Sequence, residues 1–379
     1  MKPVIRKNCV MCGHNQLEDL HILSNFPIFM GTTSKSVDSD LYCDKIFSSC
    51  AKCNCVQLKK LIPLDILYET SHAGIIGPTW KRHHEEFCDF VREYVSGNVV
   101  EVGGSNLAVA NNLVTKSEVD KYIVFDNEIF SELKKSDKII LREQFFDAKT
   151  IGEDVDVIIH THLIEHLYTP VQELLDMCSV LKDGSYMMFA GPMIDKMLED
   201  NFTNGFNFEH TYLLTHNMVK NILKSTGFEI IDRKKFSPWA SFYVAKKNNK
   251  IKTDVSHKYE DHIKLINNFI QWHLDEIENI TSKLDEFGES IDKTFIFGAH
   301  IFTQYLLNFG LSEKLFINVL DNDPKKIGNR LYGTELNVKS PKILKDIDNP
   351  IVVLKAAMYT EEIKKDIIEN INPNTRFIL

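Results

Sequence analysis

No stretch of this 379-residue chain reaches the roughly 18 uninterrupted apolar residues that a membrane-spanning helix requires, so no membrane partner is expected. An excess of basic charge is also missing. Lys and Arg number 44 against 53 Asp and Glu, a formal charge of -9, which argues against nucleic acid as the main partner. The N-terminal stretch Met1-Lys2-Pro3-Val4-Ile5-Arg6 holds no apolar core of a leader. With eight cysteines and no such leader, a reducing, cytoplasmic location is expected. There is no internal repeat and no low-complexity tract. What remains is an ordinary soluble globular composition, with length for two or three domains.

The cysteines carry the first positive signal. Cys9-Val10-Met11-Cys12 and Cys50-Ala51-Lys52-Cys53 are two C-x-x-C pairs, each spaced so that two thiolates can grip one metal from a tight turn. Four thiolates suit tetrahedral zinc and leave no open position, so the expected role is structural. The 37 residues between the pairs exceed those of a compact ribbon and imply an inserted loop. A redox C-x-x-C, or two unrelated buried pairs, are the alternatives. Cys43, Cys55, Cys88 and Cys178 read as packing residues.

Three blocks follow one another: residues 1–70 with the cysteines, 71–250, and 251–379. In the second, Trp80, His83, Phe87, Phe90, Val91 and Tyr94 recur at helical spacing. Short apolar runs then alternate with amphipathic segments: Val99–Val102, Tyr122–Phe125, Val155–Ile159 and Tyr186–Phe189. That alternation predicts an α/β fold with a doubly wound sheet, closed by an antiparallel pair over Gly227–Asp232 and Ala240–Ala245. Residues 257–288 read as one long amphipathic helix. Phe295–Phe297, Phe316–Leu320 and Ile351–Leu354 predict a second, smaller α/β unit.

Val99–Val102 runs into Gly103-Gly104, which lets a backbone approach a ligand closely. The next predicted strand ends at Asp126, where a carboxylate can accept both hydroxyls of a ribose. A dinucleotide fingerprint is absent: Gly-Gly-Ser-Asn-Leu-Ala stands where G-x-G-x-x-G would be needed. The third block has only the single turn Gly298-Ala299-His300. A nicotinamide-dependent reaction there, or another nucleotide in the first crevice, is the competing enzyme reading.

Glu101-Val102-Gly103, Asp126, and the run His160-Thr161-His162-Leu163-Ile164-Glu165-His166 together resemble class I S-adenosylmethionine-dependent methyltransferases. The third loop glycine of that family is missing, and Leu107 or Ala108 stands there. Taken with the cysteine block and the C-terminal unit, nearly the whole chain resembles the sugar C-methyltransferase family. Further matching segments are Trp80–His83, Gln144-Phe145-Phe146, Phe208-Glu209-His210-Thr211-Tyr212, Asp321–Pro324 and Tyr359–Ile363. The resemblance implies a class I methyltransferase Rossmann-like core between an N-terminal zinc domain and a C-terminal Rossmann-like domain. It implies S-adenosylmethionine held by Glu101, Gly103, Gly104, Asp126, Phe146 and His162. It implies zinc at Cys9, Cys12, Cys50 and Cys53, and a catalytic set of His210, Glu209 and His166; His72, which departs from the family, joins them as a candidate to deprotonate a hydroxyl with His210 or to hold an anionic acceptor.

His210 beside Glu209 is the expected general base, since imidazole titrates nearest neutrality. Packing is the bland alternative for each: His166 as a cap of the following helix, His162 as a cofactor neighbour, Glu209 as a solvated acid. A second metal at His160, His162 and His166 is a further alternative. His72 and Asn207 stand where the family has tyrosines, which favours oxygen over carbon as the methyl acceptor. The expected substrate is a small molecule, a sugar, nucleotide sugar or related phosphorylated precursor of a surface polysaccharide or natural product. The alternative from another class is a zinc-containing, non-catalytic binding or scaffold protein with a degenerate cofactor loop.

Overall fold

The computed structural model describes residues 1–68, 77–152, 154–250, 258–288, 291–356 and 359–379. At its centre is a seven-stranded sheet. Its strands, in chain order, are Ser96–Val102, Glu118–Asp126, Ile139–Glu143, Val155–Thr161, Leu181–Pro192, Phe228–Ser237 and Ala240–Lys247. Counted that way they lie side by side in the order three, two, one, four, five, seven, six. Only the seventh runs antiparallel to its neighbours. This is the α/β fold expected, a doubly wound and mostly parallel sheet closed by an antiparallel pair. The central strands are continuous apolar runs because helices cover both faces of a parallel sheet. Val157, Ile158 and Ile159 are almost wholly buried, as are Val99 and Val100.

Register brings the ligand-facing residues to one edge. Val102 lies beside Phe125 on one side and His160 on the other. Gly103, Asp126 and His162 therefore leave the sheet together, at the carboxyl ends of strands one, two and four. Strands one and four are adjacent while the chain order reverses between them, which opens a crevice at that point.

The N-terminal block carries a three-stranded antiparallel sheet of Leu17–Pro27, Tyr42–Cys50 and Val56–Leu58. The C-terminal block carries a five-stranded parallel sheet. Its strands are Thr294–Phe297, Asn318–Leu320, Val338–Lys339, Ile351–Leu354 and Arg376–Ile378, and the long helix Glu260–Glu286 leads into it. Of the helix expected over residues 257–288, residue 257 lies outside the described residues. Among the described residues no helix is long and apolar enough to cross a membrane.

Contacts run across the block boundaries. Thr32–Thr33 pairs with Arg330–Leu331, and the Arg330 guanidinium meets both Asp40 carboxylate oxygens at 2.6 Å. Leu58 N–H donates to Thr211 O, and Leu213 N–H to Val56 O, so the cysteine block grips the chain beside His210. Arg6 adds bonds to the carbonyls of Leu58 and Thr211 at 2.9 and 3.0 Å.

Lys45, wholly buried, donates to Phe206 O at 3.0 Å. Its ammonium position lies 4.6 Å from the Phe26 ring centre and 4.8 Å from that of Tyr305. Burial pushes this amine well below its ordinary value. Tyr305 also donates to Phe206 O, so side chains from the first and third blocks hold one carbonyl of the second.

Candidate functional site

The four C-x-x-C cysteines converge. Cys9, Cys12, Cys50 and Cys53 each bring a sulfur within 4.8 Å of the others. The Cys9–Cys53 and Cys12–Cys50 sulfurs are 3.6 Å apart. A disulfide would need about 2.0 Å. Zinc bonds of about 2.3 Å to four thiolates give tetrahedral edges of roughly 3.8 Å. The donor set therefore fits tetrahedral zinc. Cys43, Cys55, Cys88 and Cys178 are buried outside the set.

At the sheet edge, Gly103 takes a left-handed φ of 82°, and its N–H donates to Phe125 O. Glu101 does not open into the crevice. It is buried under the turn, where Tyr122 donates to its Oε2 at 2.9 Å and the Ala110 N–H bonds it too. Burial raises its carboxyl to about 7 despite those bonds. Its part is to brace the loop from below. A Cβ on Gly104 would stand 2.6 Å from the Glu101 carboxyl carbon. Since Tyr122 pins that carboxyl, Gly104→Ala is expected to destabilise the protein by ~1–3 kcal/mol. A lowered urea midpoint with unchanged slope is the result to look for; an unmoved midpoint would show that the carboxyl yields.

Leu107, one of the two residues standing where the third glycine is missing, has φ 55° and is fully buried. The left-handed loop conformation is kept without glycine, its strain of roughly 1–2 kcal/mol offset by burial of the leucine side chain. Asp126 ends the second strand, where its carboxylate accepts from the Ser105 and Glu128 N–H groups at 3.0 and 3.3 Å. Burial raises its carboxyl above the usual value. Phe146 packs edge-on to Phe125, with centroids 5.5 Å apart.

Beyond the fourth strand, His162 turns into a left-handed φ of 54°. Its Nδ1 lies 3.0 Å from Glu165 Oε1 and its Nε2 3.3 Å from His83 Nε2, with Trp80 against its ring. Burial alone would raise the Glu165 carboxyl. The His162 bond and the fields of His166 and His210 outweigh it and hold that carboxyl at about 2.

His166 Nδ1 lies 3.0 Å from the Tyr68 hydroxyl and 3.8 Å from Glu209 Oε2. At the start of the following helix it is Glu173 Oε1 that accepts from the Thr169 N–H, at 3.0 Å. The His210 ring crosses His166 nearly at right angles, with centroids 4.8 Å apart. His210 Nδ1 lies 3.2 Å from Gly205 O, which fixes this nitrogen as the donor. Burial first, then His166, lower the His210 imidazole to about 4. Asn207 Oδ1 accepts from the Glu209 and His210 N–H groups at 2.7 and 2.8 Å. The residue at the expected tyrosine position thus braces the loop's backbone.

The structure brings Glu209, His210 and His166 together, with Glu165 beside them. His160 packs behind this cluster: it is fully buried and stacks on Phe189 at 4.8 Å, within the fields of Glu165 and His162. His72 lies outside the described residues. Sequence reasoning missed Tyr68, whose hydroxyl is raised first by burial and then by Glu209, Glu165 and Asp126 among other groups. It feels both Asp126 at the crevice and the acids of the histidine cluster. Nothing in its local sequence marked it.

No family model matches the chain, and no curated protein matches it. Solved structures do. The N-methyltransferase NodS from Bradyrhizobium japonicum WM9, in complex with S-adenosyl-L-homocysteine, is 14% identical with a TM-score of 0.36, over 45% of this chain and 88% of that one. An S-adenosylmethionine-dependent methyltransferase from Clostridium acetobutylicum ATCC 824 is 15% identical with a TM-score of 0.36, over 49% of this chain and 96% of that one.

Proposed function

We propose that this protein is an S-adenosylmethionine-dependent methyltransferase that methylates a hydroxyl oxygen of a sugar, nucleotide sugar or related phosphorylated precursor. The observation that carries it is Tyr68, bonded to His166 and within the field of both Asp126 and Glu209. It supports reading the crevice and the histidine cluster as two halves of one site. Asp126 would hold the ribose hydroxyls, while the Gly103-Gly104 backbone, Phe146 and His162 would line the rest of the cofactor. Glu101 supports them from beneath. When bound, the cofactor supplies a methyl group on a sulfonium, which needs an aligned nucleophile and the loss of one proton.

His210 is the proposed base. With Nδ1–H donated to Gly205 O, its Nε2 keeps the lone pair that accepts the proton. Glu209 and His166 orient the acceptor beside it, and His72 remains a proposed further contact. The sugar class rests on the three-block resemblance, which also carries the division at residues 70 and 250. The four-cysteine centre is proposed to hold structural zinc. Polysaccharide or natural-product assembly in the cytoplasm is the proposed setting.

Calorimetry with S-adenosylhomocysteine should give one equivalent per chain. Asp126→Ala should weaken that binding by about tenfold or more, the effect of losing charge-assisted hydrogen bonds worth roughly 1.5–3 kcal/mol. Unaltered affinity would displace the ribose from Asp126. Mass analysis of products from labelled donor and a panel of nucleotide sugars then identifies the acceptor. Total absence of cofactor binding would favour the scaffold reading.

A further inference from the structure

The loop after the fourth core strand supplies Glu165 and His166, and the segment after Gly205 supplies His210. One donor atom from each lies within 4.8 Å of the other two. We propose that Glu165, His166 and His210 bind a divalent transition-metal ion as a two-histidine, one-carboxylate set, separate from the four-cysteine centre.

Glu165 gives the independent sign. It is wholly buried, and only its Oε1 is bonded, to His162. Its Oε2 has no hydrogen-bond partner among the described residues. A carboxylate oxygen shut away from water and left unpaired is costly. An ion at this position removes that cost.

The surroundings of the two imidazoles have the form that metal-binding histidines take. Such a ring normally gives its second nitrogen to a carbonyl or another polar group, which fixes tautomer and orientation. His210 gives Nδ1 to Gly205 O at 3.2 Å, and His166 pairs Nδ1 with the Tyr68 hydroxyl at 3.0 Å. Each ring then has Nε2 to offer. Bonds of about 2.1 Å would draw three donors to roughly 3–4 Å of one another. Small side-chain rotations cover the difference. Imidazole with carboxylate selects ions such as Mn²⁺, Fe²⁺, Co²⁺ or Zn²⁺, whereas four thiolates retain zinc.

The inference goes beyond the methyl-transfer reading and changes one role within it. With the ion in place, His210 is a ligand, and the ion binds the acceptor hydroxyl and raises its acidity. The O–H bond then breaks with its proton passing to Glu209, which approaches His166 at 3.8 Å. The oxygen keeps the electron pair.

The test uses the full chain with zinc retained and Mn²⁺ alone as the probe. Titration followed by electron paramagnetic resonance should remove one equivalent of the free-ion signal. His166→Gln and Glu165→Gln should each weaken this binding by about tenfold or more. Zinc content and the thermal melting midpoint, measured on the same samples, should stay at their parental values and report that the variants are folded. No bound Mn²⁺ at millimolar concentration, or equal binding in folded variants, would overturn the ion site. Mn²⁺ bound without S-adenosylhomocysteine would support the ion site and overturn the methyl-transfer reading. The reverse would remove the ion alone.

Discussion

With zinc held by the four cysteines as proposed, Cys50→Ala should release it and unfold the N-terminal block. Cys50 ends the strand Tyr42–Cys50, is fully buried, and gives one of the four convergent sulfurs. Three thiolates leave an open, wet position where a closed tetrahedron is needed. Binding at such sites is coupled to folding by on the order of 10 kcal/mol, more than a small sheet retains without it. The damage should spread. Val56 and Leu58 bond the chain at Leu213 and Thr211, immediately after His210. Zinc per chain, read by elemental mass spectrometry, should fall from one to near zero. The melting transition should drop or split. A variant that keeps its zinc would show that the four sulfurs are not the ligand set.

His210→Ala should abolish methyl transfer, by about 10²–10⁴-fold, the range for loss of a positioned general base. S-adenosylhomocysteine affinity should hardly change, because the glycine turn and Asp126 belong to other strands. The loop itself should survive. Asn207 bonds the backbone N–H of residue 210, and Lys45 and Tyr305 hold Phe206 O. His210→Gln, which fills the space but accepts no proton at neutral pH, should lose as much as the alanine variant. Turnover retained in either variant would dismiss His210 from the chemistry, as base and as ligand.

Much of the core was legible because its signals are local. The fully buried runs around Val100, Ile123, Ile158 and Met188 stand out as short apolar strands separated by helices. Ile139–Glu143 did not. It is an edge strand with only Ile139 buried, so its three apolar residues, two of them half-exposed, run straight into the exposed Arg142 and Glu143. The N-terminal sheet was hidden similarly, since Leu17–Pro27 mixes exposed polar and half-buried positions. His160 shares a run with His162 and His166 but parts from them in the fold. The pleat turns it into the sheet's packing, while the left-handed turn at His162 redirects the chain toward Glu165 and His166.

By itself the sequence determined the chemistry available within one turn or one strand: two thiolates at C-x-x-C spacing, a strand entering a double glycine, an acid closing the next strand. These depend on neighbours a few residues apart, whose geometry the backbone dictates. Only the tertiary structure decided that Tyr68, Glu165, His166 and His210 meet, and that Lys45 and Tyr305 share one carbonyl. Such meetings depend on which strands pair and in what register. That choice is made by burial across the whole molecule, and no short window of residues encodes it.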